Sequence, residues 1–424
     1  MRIAVIGAGI VGVTTAYELA SDGHEVTVLE RLQAVASEAS FANAGVVAPG
    51  YVSPWAAPWM PLKVAAGLFA SHSAVRFGGG VLTMPGWLWR YLWACRAKTH
   101  RANRRRMQRL ALYSRERLDA LTLVHGLEYE QQRGYLVLLR SARELERARA
   151  GLPVLDDIGV RHELLDPAAA RAREPAISAE APLHAALALP NDLVGNCRQF
   201  AHVLKLQAQQ RGARFRFGVE VRRLSAGQPG VLYWQPTDNE AAPIQQERHD
   251  AIVLCTGILP PRLAGRVGLR LPVAAVNGYS MTAPIRHREG EPDPGPVSGV
   301  MDERFKVSIT RLGQRIRVAG IAELGVDPHL LRDPPLVTLY KVLEDWFPGA
   351  ADLGKVQHWK GARPMLPDGP PVIGPAGPPG LWLNLGHGGS GWALSCGSAR
   401  VLADQIAGRT PEIDIEGLDS RRLR

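Results

Sequence analysis

Lysine is nearly absent from this 424-residue chain: of 50 basic side chains, seven are Lys and 43 are Arg. An arginine bias of that kind follows from genome composition as readily as from a selected binding face, so the formal charge of +10 does not by itself make a nucleic-acid-binding protein. Cysteine is sparse as well. Cys95, Cys197, Cys255 and Cys396 are scattered without the paired spacing of a zinc site, which predicts reduced thiols in the core and no metal centre. Charged residues are missing from Ala39 to Leu62 and from Gly369 to Ala399, but both stretches are studded with Pro and Gly, which break the helix a bilayer span requires. Neither reads as a transmembrane segment. A charged leader with an apolar core and a small-residue cleavage site is also lacking, which predicts cytoplasmic residence.

What is present starts at the third residue. The apolar run Ile3, Ala4, Val5, Ile6 stops at Gly7, Ala8, Gly9, Ile10, Val11, Gly12, and Glu30 follows eighteen residues after Gly12. In a dinucleotide-binding βαβ unit the first glycine makes the tight turn, the second lets the backbone approach a pyrophosphate, and the third lets helix pack on sheet. The helix N-terminus, with Ile10 and Val11, then offers unpaired N–H groups and a positive dipole end to the phosphates. Glu30, with Arg31 beside it, falls where a ribose hydroxyl pair would lie, and its charge would repel a 2′-phosphate. Because single cores stop growing near ~250–300 residues, a chain of this length predicts two or more domains.

Further along, helical patterning is expected from about Trp87 to Leu123 and from Ala142 to Ile158, with strands at Tyr135 to Leu139 and Val160 to Leu165. Arg214 to Phe217 and Val219 to Leu224 read as paired strands, with Val221 on the cofactor side, and a second apolar strand from Asp250 ends in Thr256-Gly257. Alternation predicts strands at Asn277 to Ala283, Lys306 to Thr310 and Arg315 to Gly320, then a helix from Pro335 to Phe347. Near the end the strand Leu381 to Leu385 runs into Gly386-His387-Gly388-Gly389-Ser390-Gly391-Trp392 and a final helix through Ile406, a second strand–glycine–helix corner able to face an anion or a polar ring edge. The expected fold class is α/β. It combines a discontinuous Rossmann-type nucleotide domain over 1–50, 190–265 and 355–424 with an α+β substrate domain on a mixed sheet over 51–189 and 266–354.

Across nearly its whole length, in order, the chain resembles a known family. Asn43-Ala44-Gly45, Pro49-Gly50-Tyr51, Pro54-Trp55-Ala56-Ala57-Pro58, Leu189-Pro190-Asn191-Asp192, Gly278-Tyr279-Ser280, Arg363-Pro364-Met365 and Asn384 to Gly388 with Gly391-Trp392 are similar to the small subunit of bacterial D-amino-acid dehydrogenases, within the FAD-dependent D-amino-acid oxidase and glycine oxidase superfamily. The resemblance implies FAD bound by Gly7, Gly9, Gly12, Glu30, Asn43, Ala44 and Gly45, with Thr256-Gly257 beside its ADP half and the Gly386 to Trp392 turn at the flavin. It also implies hydride transfer from the α-carbon of a D-amino acid to flavin N5, the imino acid then being hydrolysed to a keto acid and ammonia. Tyr135, Leu366, Gly389 and Ser390 stand where the relatives carry small or Thr-like residues, which leaves linear D-alanine and cyclic D-proline or D-hydroxyproline both open.

An amino-acid carboxylate calls for a guanidinium, whose planar charged fork grips it bidentately. Arg363, in the Gly-x-Arg-Pro context of the superfamily, is the expected holder, and Tyr279 is expected to donate to the same carboxylate and wall the pocket. His387 tempts as a base, although hydride transfer from a neutral amine needs none, so a structural or flavin-contacting role is favoured. Trp87, Trp89, Tyr91 and Trp93, followed by Arg101, Arg104, Arg105, Arg106 and Arg109, suggest docking on the inner membrane surface, from which electrons would pass to a quinone or an electron-transfer protein; a helix packed in its own domain is the competing reading. Assembly as a homo- or hetero-oligomer is left open. An oxygen-using oxidase, a NAD-dependent dehydrogenase and a basic binding protein on a nucleotide fold are the alternatives.

Overall fold

The structure is a computed structural model describing residues 1–61, 72–239, 241–260, 263, 265 and 267–423. Its first sheet has six strands in the order Val372–Pro375, Leu381–Leu385, Ala251–Leu254, Arg2–Ile6, Glu25–Leu29, Arg214–Arg216, all parallel except the Val372–Pro375 edge. Strands covered on both faces read as continuous apolar runs, as Ile3 to Ile6 and Ala251 to Leu254 do, and these eight residues are buried. The helices Ile10–Ser21, Cys197–Gln210 and Gly391–Ile406 pack around one another and against this sheet. A three-stranded sheet of Val219–Ser225, Gly230–Pro236 and Gln245–His249 lies beside it.

The second large sheet runs Gln357–Met365, Ala274–Pro284, Arg315–Leu324, Val307–Leu312, Gly299–Asp302, Gln132–Leu139, Ala185–Val194, Val46–Val47, with Val75–Phe77 and Glu163–Leu165 pairing off this path. Alternation splits its side chains by face. Met281, Ile309, Ile316 and Val318 pack under the helix Asp333–Trp346, whereas Ser280, Thr310 and Arg317 reach the backbone of residues 42–44 on the nucleotide side. The helix Ala97–His125, 29 residues and so about 44 Å long, bridges the halves. It crosses the last helix where a Cβ on Gly397 would stand 2.8 Å from the Ser114 nitrogen, a closeness only glycine permits.

Several expectations change in detail. The helix expected over 87–123 is two, Pro85–Ala94 and Ala97–His125, and that over 142–158 is broken at Gly151-Leu152-Pro153 into Ala142–Arg149 and Leu152–Asp157. Arg214–Arg216 and Val219–Ser225 do not pair with each other: Gly218 at φ +65° redirects the chain, so the first joins Glu25–Leu29 and the second Gly230–Pro236. Gln357–Met365 belongs to the large mixed sheet through its pairing with Ala274–Pro284, and Val372–Pro375 pairs with Leu381–Leu385 in the first sheet.

Candidate functional site

The first glycine corner is dictated by close backbone packing. Gly7 sits at φ +101°, where a Cβ would lie 2.7 Å from the Cys255 carbonyl oxygen, and a Cβ on Gly12 would lie 1.9 Å from the Gly7 oxygen. Gly9 differs. Its imagined Cβ meets only Ser40 Oγ, at 3.6 Å, so no described neighbour demands glycine there; Ser40 Oγ also accepts from Ile10 N at 3.1 Å at the N-terminus of Ile10–Ser21. Glu30 follows the second strand at once, its carboxylate accepting from Ala8 N at 2.7 Å and Leu32 N at 3.0 Å. Val221 is buried in Val219–Ser225, whose first residue donates to the Glu30 carbonyl, whereas Arg31 points outward to Glu38.

A second arm closes over this corner. Three successive carbonyls, those of Ala42, Asn43 and Ala44, accept from Ser280 Oγ at 2.7 Å, Arg317 Nη1 at 3.2 Å and Thr310 Oγ1 at 3.0 Å. Asn43 Oδ1 accepts from Gly45 N, and the Gly45 carbonyl from Gly195 N. Gly195 in turn abuts the Trp392 ring, where an added Cβ would stand 3.2 Å from Cη2. The Gly386 to Gly391 turn enters the last helix through a left-handed Gly386 and Gly388. Around these turns Thr256 Oγ1, Asn384 Oδ1 and Trp392 Nε1 are buried with no hydrogen-bond partner among the described residues. Buried polar atoms are normally paired. A glycine corner at a helix N-terminus, an acid one strand over and orphaned polar atoms at the facing turns together fit a flavin dinucleotide.

Arg363 meets this arrangement from the large sheet. It stands opposite Val276 in register and lies over Gly278, where a Cβ would collide with the guanidinium at 2.3 Å. Its Cδ lies 3.5 Å from where Gly389 would carry a Cβ, so arginine and glycine turn share one space. Nη1 donates to the Ile321 carbonyl at 2.8 Å, and Nη2 lies 3.4 Å from that of Gly320. Ile321 adopts φ +57°, an outlier for a β-branched residue, where the pairing with Ala274–Pro284 shifts register. Such a conformation costs about 1–3 kcal/mol, and here it turns a carbonyl onto the arginine. Among the described residues no carboxylate pairs with Arg363, and burial pushes its guanidinium down to about 10. The wall beside it is apolar: Val276, Leu324 and Met365 pack with Trp55, Trp87 and Tyr91, and Trp87 Nε1 donates to the Met365 carbonyl.

Of the two other expected catalytic residues, Tyr279 lies away from Arg363, whereas His387 lies within the glycine turn. Tyr279 points to the opposite face, packed with Leu339 and Met281, and its hydroxyl donates to buried Glu323 at 2.6 Å. The register explains this, since alternation puts Val276 and Gly278 on the face of Arg363 and Tyr279 on the other. His387 is buried with Nε2 3.0 Å from Ser398 Oγ, and that hydroxyl donates to the Ser395 carbonyl, so the imidazole is the donor to it. Burial pushes its pKa down to about 3. Its ring is therefore neutral, with Nε2 engaged by Ser398.

Behind the Tyr51–Tyr135 pair lies a residue that the motifs name but the chemistry did not single out. Asp192 is buried, its Oδ2 has no partner among the described residues, and burial pushes it from 3.8 up to about 7, eased by Arg115 and Gly50 N. A raised folded-state value means stability is full below pH 4 and falls as pH rises through 7. Asp192→Asn should therefore stabilise the fold at pH 8 by up to ~4 kcal/mol, about three pH units at 1.36 kcal/mol each, and leave it unchanged near pH 4. Denaturant unfolding at the two pH values checks this.

The family model described as FAD dependent oxidoreductase matches residues 2–405. A D-amino acid dehydrogenase of Methylobacterium sp. (strain 4-46) is 44% identical over 427 residues, covering 100% of this chain and 99% of that one. Another, from Cereibacter sphaeroides (strain ATCC 17029 / ATH 2.4.9), is 44% identical over 425 residues, covering 100% and 95%. Among solved structures, glycine oxidase from Geobacillus kaustophilus superposes with TM-score 0.77 at 21% identity over 99% of both chains. L-proline dehydrogenase from P. horikoshii gives 0.70 at 18%, over 100% and 97%. These two likenesses concern the fold alone.

Proposed function

Because this chain belongs to the FAD-dependent oxidoreductase family typified by D-amino-acid oxidase, we propose that it is an FAD-dependent D-amino-acid dehydrogenase in which Arg363 holds the substrate carboxylate. The observation that carries the assignment of Arg363 is a buried guanidinium without a carboxylate among the described residues, placed against the Gly386–Gly391 turn. Nη1 donates to Ile321 and one Nη2 hydrogen faces the Gly320 carbonyl at 3.4 Å, which leaves Nε and the other Nη2 hydrogen for an incoming anion. Gly7, Gly9, Gly12 and Glu30 would hold the ADP half of FAD, and Asn43 to Gly45 with Gly386 to Trp392 its ring. FAD, when bound, accepts the α-hydrogen and its two electrons. Positioning by Arg363 aims that hydrogen, and the Trp55, Trp87 and Met365 wall excludes water from the side chain. With His387 neutral and bonded away, the substrate amine must arrive unprotonated. The imino acid released from a linear substrate is hydrolysed by water to a keto acid and ammonia, whereas a cyclic substrate leaves as a ring imine that water opens to an amino keto acid with its nitrogen retained.

Linear and cyclic D-amino acids, D-proline and D-hydroxyproline included, fit this chemistry equally, with a quinone or electron-transfer protein as acceptor. A dye-coupled assay over D- and L-amino acids tests the reading. Turnover confined to L-substrates would sink it, and stoichiometric peroxide would select the oxidase.

Contact with the inner membrane surface is supported by the way Pro85–Ala94 divides. Trp87 and Tyr91 face the site wall, while Trp89, Leu92 and Trp93 point outward, each half exposed or more, with Arg96 stacked on Trp93. No described helix is long and apolar enough to cross a membrane. Arg106 and Arg109 are occupied by Glu416 and Asp414, so Arg101 and Arg105 are the exposed cations for anionic lipid. Trp89→Ser/Trp93→Ser/Arg101→Ser/Arg105→Ser should lower affinity for anionic vesicles by tenfold or more, at about 1 kcal/mol per basic residue. Unchanged sedimentation with vesicles would remove the idea.

A further inference from the structure

Arg317 shares the peculiarity of Arg363. It is 6% exposed, yet among the described residues it has no carboxylate of its own, because the neighbouring Glu130 is taken by Arg315 at 2.7 Å. Other buried guanidiniums here, those of Arg140, Arg400 and Arg422, rest on carboxylates. Burial together with Arg315 presses Arg317 down to about 10, so the site carries an unfavourable charge. An unpaired buried cation is destabilising. Its Nε donates to Thr282 Oγ1 at 3.0 Å and its Nη1 to the Asn43 carbonyl at 3.2 Å, which fixes the fork behind the loop of residues 42–45. Through Gly45 and Gly195 that loop reaches the Trp392 ring and so the turn that would face the flavin. Hydroxyl donors from Ser280 and Thr310 suffice to hang the flanking carbonyls, so the middle position does not need a full charge for the hydrogen bond alone.

We propose that Arg317 is the fixed cation of the cofactor site, a positioning residue that holds the loop of residues 42–45 and stabilises the negative charge the flavin ring gains on reduction. The proposal rests on the FAD reading above. A charge in a poorly solvated interior acts at longer range than one in water, so direct contact with the ring is not required. Its effect is on the reduction equilibrium, which a loop-holding role alone would not move.

The test is a redox titration of the purified FAD-loaded protein against a dye, for wild type, Arg317→Met, Arg317→Lys and Thr282→Val, with FAD affinity measured by reconstitution. Arg317→Met should disfavour reduction by about tenfold, or about 30 mV for a two-electron couple. Arg317→Lys should stay near the wild-type potential because it keeps the charge, and Thr282→Val should too because it removes only one anchor. A wild-type potential in Arg317→Met, or an equal fall in Arg317→Lys, overturns the proposal. If Arg317→Met fails to retain flavin, Arg317→Lys decides: flavin held at the wild-type potential supports the charge, and lost or shifted flavin refutes it. A colourless wild-type protein that cannot be reconstituted would instead sink the FAD reading itself.

Discussion

Arg363→Ala should lose about 30- to 5,000-fold in kcat/KM, keep its flavin, and unfold at a temperature no lower than wild type. Truncating one partner of a buried charge pair costs about 2–5 kcal/mol, and each 1.36 kcal/mol is tenfold. The carboxylate partner is present only when substrate is bound, so the loss falls on catalysis and not on the resting fold. In the free protein the guanidinium is desolvated against two carbonyls with no carboxylate among the described residues, so removing it relieves a destabilising charge. Arg363→Lys should recover little, because a point charge on a flexible stem cannot reproduce the planar fork. Tyr279→Phe is the companion measurement: with its hydroxyl on Glu323 across the sheet, it should leave KM near wild type while lowering stability. Steady-state kinetics, the flavin-to-protein absorbance ratio and thermal melts distinguish these outcomes. Intact kcat/KM in Arg363→Ala would leave the carboxylate without a holder.

The glycine corner was legible because its cause is local: a tight turn, a close approach and an acid at the end of the next strand all lie within thirty residues. The Gly-x-Arg-Pro context singles out Arg363 and the second corner singles out Gly389, two residues that the fold brings side by side. The face on which Tyr279 stands is held by no local pattern. It is set by the register of Ala274–Pro284 against Gln357–Met365, more than eighty residues away, and by the bulge at Ile321. Ser280, Thr310 and Arg317 left a fainter signal: polar residues at alternating positions of strands otherwise apolar mark a face that meets something other than core. The break at Gly151-Leu152-Pro153 was written in the sequence and overrun by the charged helical pattern around it, which continued on either side.

Gly9→Ala and Gly12→Ala should fail in different ways, and the difference tests what the first corner is for. A methyl on Gly12 would stand 1.9 Å from the Gly7 carbonyl oxygen, with no flexible side chain to give way, so helix and turn must separate. Overpacking of that kind costs about 1–3 kcal/mol or more, and Gly12→Ala should melt lower even as apoprotein. A methyl on Gly9 has 3.6 Å of clearance from Ser40 Oγ, so the apoprotein should fold with wild-type stability. The methyl would instead occupy the approach to the helix N-terminus, where backbone N–H groups and the dipole favour an anion. FAD affinity in Gly9→Ala should therefore drop by at least about tenfold, the equivalent of one displaced charge-assisted hydrogen bond at about 1.5–3 kcal/mol. Fluorescence titration of apoprotein with FAD measures this directly. Wild-type affinity in a stably folded Gly9→Ala would mean that the pyrophosphate lies elsewhere, and the helix N-terminus would lose its assigned role.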